Sequence, residues 1–219
     1  MRQRVQLKPL TADKRKIESA NLSRFKAVVI GASAGGIDAI GKILPRLPKT
    51  FPLPIIIVLH LPGNQPSLLA ELFASKTDLR VKDADEKEAI APGTVYFAPP
   101  NYHLLVERDL TFALSQDEPV QYSRPSIDVL FESAADAYQN HLIGIVLTGA
   151  NRDGAEGLKR IQDFGGLAII QDPTTAETRS MPAAACDLLS ASDEQILSLD
   201  EIANLLLSIK STKRGAKAL

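Results

Sequence analysis

The chain has 219 residues, 45% of them hydrophobic and 23% charged, with a formal net charge of −1. That length carries one domain with a substantial core, and the balanced charge excludes bulk electrostatic attraction to nucleic acid or to a membrane surface. A lone Cys186 excludes an intrachain disulfide, zinc-ligand spacing is absent, and no apolar stretch approaches the ~20 residues of a membrane span, so a reducing, cytoplasmic setting without membrane insertion is expected.

Residues 1–24 carry seven Lys or Arg (Arg2, Arg4, Lys8, Lys14, Arg15, Lys16 and Arg24) against Asp13 and Glu18. They show neither apolar periodicity nor a hydrophobic leader, so a solvated basic N-terminal arm is expected, with docking to an acidic partner as the lesser reading. Residues 211–219 add Lys213, Arg214 and Lys217 as a basic C-terminal tail. This leaves 25–210 as one globular domain.

Within it, Ala27–Ile30 reads as a buried strand that stops at Gly31, followed by a turn and a helix over Ile37–Leu47 ended by Pro45 and Pro48. Leu53–Leu59 is almost purely apolar and β-branched, the pattern of a strand covered on both faces, and ends at His60. A helix is expected over Pro66–Ser75, with shorter strands at Val81 and Thr94–Ala98. A hairpin is expected from Leu104–Glu107 and Thr111–Leu114 around Arg108-Asp109-Leu110. Ser126–Gln139 is strongly amphipathic, with Ile127, Leu130, Phe131, Ala134, Ala135 and Tyr138 at helical spacing. A strand at Leu142–Leu147, a helix at Ala155–Phe164 and a strand at Leu167–Ile170 follow. A short helix should begin at Pro182, and a last one spans Leu199–Ile209 behind a Ser198/Glu201 capping box. Buried strands alternating with helices predict a doubly wound, mostly parallel α/β sheet with helices on both faces and an antiparallel hairpin.

Gly31-Ala32-Ser33-Ala34-Gly35 fits G-x-S-x-G, in which a serine is presented on a strand-to-helix turn beside unpaired N–H groups suited to an oxyanion. Two plainer readings stand beside it: Ser33 caps the helix, or the glycines cradle a phosphate. Ligands of open parallel sheets bind beyond the carboxyl ends of the strands. Ser33, His60 and Asp153 each follow a strand and so share that edge. His141 precedes its strand, His103 begins a hairpin strand, and Asp172 is the real rival to Asp153. Each of the three has a local alternative: His60 as a strand-end histidine held by a carbonyl, Asp153 as the N-cap of the helix from Gly154, Ser33 as a cap. Acting together, they would perform acyl transfer, with Ser33 as nucleophile, His60 as base and Asp153 orienting it. Ala34 N–H is the natural oxyanion donor, and a second would come from the Gly149–Asn151 loop, Ala150 included.

These residues, with Leu61-Pro62, Tyr96-Phe97-Ala98-Pro99, Arg124-Pro125-Ser126-Ile127-Asp128-Val129-Leu130-Phe131, Leu147-Thr148-Gly149 through Asp153-Gly154, and Met181-Pro182, resemble the CheB-type protein-glutamate methylesterases of bacterial chemotaxis. The resemblance runs in order from about Ala27 to Leu189. It implies a Ser33-His60-Asp153 triad and hydrolysis of glutamyl methyl esters on chemoreceptor helices. It also implies deamidation of receptor glutamines, no metal or organic cofactor, and Arg124 holding a loop beside the substrate. Two departures stand out. The family's usual N-terminal receiver domain would not fit in the ~25 residues before the first strand, so the enzyme is expected to be constitutive, specialised or controlled by a separate regulatory protein. Ala150-Asn151 replaces the family's usual Met-Gly, with Asn151 and Arg152 expected to reshape that loop.

A nucleotide-dependent oxidoreductase is the first competing reading, and it lacks the acidic residue needed at the end of the second strand, where His60 stands. A Tyr-x-x-x-Lys pair is also missing, because Tyr138 is followed by Gln-Asn-His-Leu. The second is a non-catalytic binding module that keeps the methylesterase fold.

Overall fold

A computed structural model describes residues 22–61 and 68–210. The basic tail and residues 1–21 of the expected arm lie outside the described residues. The last three arm residues form a 3-10 turn, Leu22–Arg24, in which Leu22 is buried in the core. Among the described residues, packing thus already includes Leu22, because the turn carries an apolar side chain at a position where a charged one would stay in water.

The described strands are β1 (Ala27–Ala32), β2 (Ile55–Leu59), β3 (Arg80–Asp83), β4 (Thr94–Phe97), β5 (His103–Val106), β6 (Phe112–Ser115), β7 (Leu142–Val146), β8 (Leu167–Gln171) and β9 (Ile196–Leu197). The helices are α1 (Gly36–Ile43), α2 (Leu69–Ala74), α3 (Ile127–Tyr138), α4 (Ala155–Asp163), α5 (Ser180–Leu189) and α6 (Leu199–Leu207). Seven strands form a parallel sheet in the order β3-β4-β2-β1-β7-β8-β9, and β5-β6 pair antiparallel beside it. Chain order runs outward from β1 through β2 on one side, then returns to β7 on the other. The strand order thus reverses between β1 and β7, the place where ligands bind in such sheets.

Both faces of the sheet are covered, which is why β1, β2 and β7 read as continuous apolar runs. Val28 and Ile30 of β1, with Ile55 and Ile57 of β2, pack with α1, α2 and α6. Ala27, Val29, Ile56 and Val58 face α3, α4, α5 and the hairpin. Each fully buried Val, Ile, Leu or Phe contributes roughly 1.5–3 kcal/mol, so these two apolar layers hold the helices on the sheet.

Several element ends differ from expectation for local reasons. Pro45 turns the end of α1 into a 3-10 turn, Leu44–Arg46. The fifth helix starts at Ser180, two residues before Pro182, with the proline still inside its first turn, where no intrahelical N–H is needed. The short strand β9 had no pattern of its own; it is a strand only because Ile196 and Leu197 pair with Ile170 and Gln171. The capping box at Ser198 and Glu201 is formed as the spacing predicts.

Candidate active site

The site sits at the carboxyl edge of three neighbouring strands, β2, β1 and β7. Backbone bonds carry the register past the strand ends: His60 N–H donates to Ala32 O at 3.0 Å and Ser33 N–H to Thr148 O at 2.9 Å. Ser33 follows β1, His60 follows β2, and Asp153 follows β7 by a short loop. A cleft of about 420 Å³ is lined by Ser33, Gly35, Leu59, His60 and Glu177, among others.

Asp153 is fully buried. Its Oδ2 lies 2.9 Å from His60 Nε2 and accepts the Ile127 N–H at 2.7 Å. Its Oδ1 accepts the Ser126 hydroxyl at 2.8 Å and the Asp128 N–H at 3.0 Å. The carboxylate is thus seated on the first turn of α3, where unpaired amides and the helix dipole favour negative charge. Burial alone would push this carboxyl up; the His60 contact and the Asp128 and Ile127 amides outweigh it and hold the group below the usual carboxylate range. The N-cap of α4 is Gly154, with no side-chain cap bond. Asp153 therefore leaves its own helix uncapped and serves α3 instead.

The reciprocal job falls to Asp128. Its Oδ1 accepts the N–H groups of Gly154 and Gly157 at 2.9 and 2.8 Å, at the start of α4. Burial, together with the nearby charge of Asp153, raises the Asp128 carboxyl from 3.8 to about 7. Ser126 caps α3, its hydroxyl oxygen 3.5 Å from Val129 N. These roles of Ser126 and Asp128 were not foreseen, although both lie in the Arg124–Phe131 run; a Ser-x-Asp at a helix start is the local signal that marks them.

A carboxylate can only accept from His60, so with Asp153 ionised Nε2 carries the proton and Nδ1 presents its lone pair. Among the hydrogen bonds of the described residues none joins Ser33 to His60; unliganded sites often close that contact only with substrate. Ser33 does not cap α1, whose N-cap is Gly35 in the left-handed region at φ 78°. The sharp turn of the elbow is therefore taken by Gly35, where a Cβ would lie 2.8 Å from Glu177 Cβ.

Thr148 fastens the two loops of the site. Its hydroxyl lies 2.8 Å from Ala34 O, accepts Thr178 N–H at 2.9 Å, and its own N–H donates to Gln171 Oε1. Gly149 N–H is taken by Thr178 O. The N–H groups of Ala34 and Ala150 have no protein acceptor among the described residues. Asn151 Oδ1 accepts Asp153 N–H at 3.2 Å, while Arg152 turns away to Glu156. Arg124 donates to the carbonyls of Gln116 and Asp117 at 2.7 and 3.0 Å, pinning the loop after β6.

The rival Asp172 is used locally: its Oδ1 accepts from the Thr174 N–H and hydroxyl. No group of three or more His, Cys, Asp or Glu side chains placed to hold a metal occurs among the described residues.

Comparison with known proteins gives one consistent answer. The CheB methylesterase family model matches residues 28–206. A Leptospira interrogans protein, provisionally described as a protein-glutamate methylesterase/protein-glutamine glutaminase, is 50% identical over 185 residues, covering 84% of this chain and 95% of that protein. A Carboxydothermus hydrogenoformans protein-glutamate methylesterase/protein-glutamine glutaminase is 41% identical over 183 residues, 80% of this chain and 53% of that one, so the chain spans about half the length of that relative. The Thermotoga maritima CheB methylesterase catalytic domain superposes with a TM-score of 0.78 at 33% identity, over 84% of this chain and 97% of that domain.

Proposed function

The chain belongs to the CheB methylesterase family, and from that premise we propose that it hydrolyses glutamyl methyl esters on the cytoplasmic helices of chemoreceptors through Ser33, His60 and Asp153. The observation that carries the reading is the buried Asp153 carboxylate, oriented by the α3 N-terminus, 2.9 Å from His60 in a cleft shared with Ser33.

In this reading His60 Nδ1 takes the Ser33 hydroxyl proton as the oxygen attacks the ester carbonyl. The ion pair with Asp153 stabilises the imidazolium, and the free N–H groups of Ala34 and Ala150 receive the oxyanion. His60 then protonates the departing methoxide, releasing methanol. Water, deprotonated by His60, attacks the acyl-Ser33, and the free glutamate leaves as Ser33 recovers its proton. Glutamine deamidation follows the same steps with ammonia as the leaving group. No helix among the described residues is long and apolar enough to cross a membrane, and a cytoplasmic enzyme acting on exposed receptor helices fits a cleft lined by the partly exposed Ile37 and Leu61.

The test is methanol release from methylated chemoreceptor membranes, with wild type and Ser33→Ala side by side. Release by the wild type only supports the proposal; equal release by Ser33→Ala, or none from folded wild type, overturns it.

A further inference from the structure

The hydrogen bonds that orient Asp153 do not end at Ser126. The Ser126 N–H, just ahead of the first turn of α3, donates to His103 Nδ1 at 3.2 Å. His103 opens β5 and is 1% exposed. Its Nε2 lies 3.2 Å from the Glu118 carbonyl. A carbonyl only accepts and an amide N–H only donates, so the two partners assign one tautomer: Nε2 protonated, Nδ1 bare. His103 stands on a different element from every residue of the triad, yet one bond separates it from the serine whose hydroxyl reaches Asp153.

We infer that His103 is a positioning residue for the proposed reaction: by accepting the Ser126 N–H it fixes the backbone from which the Ser126 hydroxyl orients the Asp153 carboxylate against His60. The inference rests on the triad reading above. The Ser126 N–H has no other acceptor among the described residues, and Ser126 is itself fully buried. Losing Nδ1 leaves that donor unpaired, and the segment shifts toward another acceptor. The shift passes to Oδ1 of Asp153 through the 2.8 Å Ser126 contact. The same stretch is tied at its other end, since Arg124 and His103 together hold the carbonyls of Gln116, Asp117 and Glu118.

Two substitutions separate positioning from packing. His103→Asn keeps an acceptor near the place of Nδ1, whereas His103→Gln puts an amide near the place of Nε2 and leaves the Ser126 N–H unpaired. With methylated receptor as substrate, kcat of His103→Asn should stay within about threefold of wild type, and that of His103→Gln should fall about ten- to a hundredfold with KM unchanged, as displacements of a catalytic group do. In the Ser126→Ala background His103→Gln should bring no further loss of kcat. A second measurement needs no substrate: the downfield proton resonance of His60 Nε2–H should move in His103→Gln and stay in His103→Asn. Equal kcat for the two variants, losses that follow melting temperature alone, full additivity with Ser126→Ala, or an unmoved His60 resonance would each overturn the inference. If wild type releases no methanol while the resonance moves as stated, the esterase reading fails and the positioning role stands.

Discussion

Asp128 and Asp153 exchange helices: each carboxylate binds the backbone amides at the start of the helix that belongs to the other. Asp153, at the foot of α4, accepts from Ile127 and Asp128, while Asp128, in the first turn of α3, accepts from Gly154 and Gly157. The two carboxyls are driven apart by this shared arrangement, Asp153 downward through His60 and two amides, Asp128 upward through burial. One stays ionised beside the imidazole, and the other keeps its proton far above the ordinary carboxylate range, giving it up only around pH 7.

Replacing Asp153 by Asn should lower turnover by roughly three to four orders of magnitude, because an amide in place of the carboxylate no longer enforces the His60 tautomer. It should also destabilise the fold by about 1–3 kcal/mol, since one of the acceptors facing Ile127 and His60 becomes a donor. Steady-state methanol release and urea unfolding check the two parts. His60→Ala should match the loss of turnover and also cost stability, because the buried Asp153 carboxylate loses one of its partners.

Asp128 should make stability fall as pH rises. Its folded-state carboxyl sits near 7 against an ordinary 3.8. Below about pH 4 both states hold the proton; between about 4 and 7 the unfolded chain releases it and the folded chain keeps it, so folding is disfavoured progressively. Asp153 works in the opposite sense in a lower window: its stabilisation is present above the ordinary carboxylate range and is lost as pH falls through its depressed value. Urea midpoints of wild type and Asp128→Asn, compared from pH 4 to 7, should show the variant gaining on the wild type as pH rises, because Asn keeps the Oδ1 acceptor and has no proton to lose.

A Cβ at Gly31 would lie 2.2 Å from Ile127 Cγ2. Gly31→Ala should therefore push the first turn of α3 off the sheet, destabilising by about 1–3 kcal/mol and lowering kcat through the displaced Asp153. Pairing it with Ile127→Ala should restore part of both losses. A strictly additive double variant, read by melting temperature and methanol release, would show that the contact is not the cause.

Asp172→Asn should be silent. Its Oδ1 closes a local turn with Thr174, a role the Asn carbonyl fills equally well, so turnover should stay at wild-type level and stability within about 0.5 kcal/mol.

What the sequence made legible follows the range of the physics involved. Strand β2 and helix α3 announce themselves because burial on both faces or on one stripe leaves a local pattern, and the Ser198–Glu201 box is complete within four residues. The shared strand edge of Ser33, His60 and Asp153 could be deduced because parallel topology places every strand end alike. The helix that seats the Asp153 carboxylate could not. The local signal of Asp153 is that of an N-cap for the following helix, and only the closeness of α3 in space redirects it. Ser126, Asp128 and His103 share this property: their bonds to the site cross 23 to 29 residues of chain. Strand β9 is the same case in the sheet, two residues defined by a neighbour.

Ile127 packs its Cγ2 methyl against two glycines, Gly31 and Gly154, where a Cβ on either would lie 2.2 or 2.6 Å from it. The opening turn of α3 is therefore clamped into the core and does not fray as a helix end in solvent would. Because that turn also seats the Asp153 carboxylate, thermal motion in the wild-type protein displaces Asp153 only by opening the packing around Ile127. Heat inactivation and global melting should fall on one curve, and amide exchange at Ile127 should require the same opening as the central strand β1.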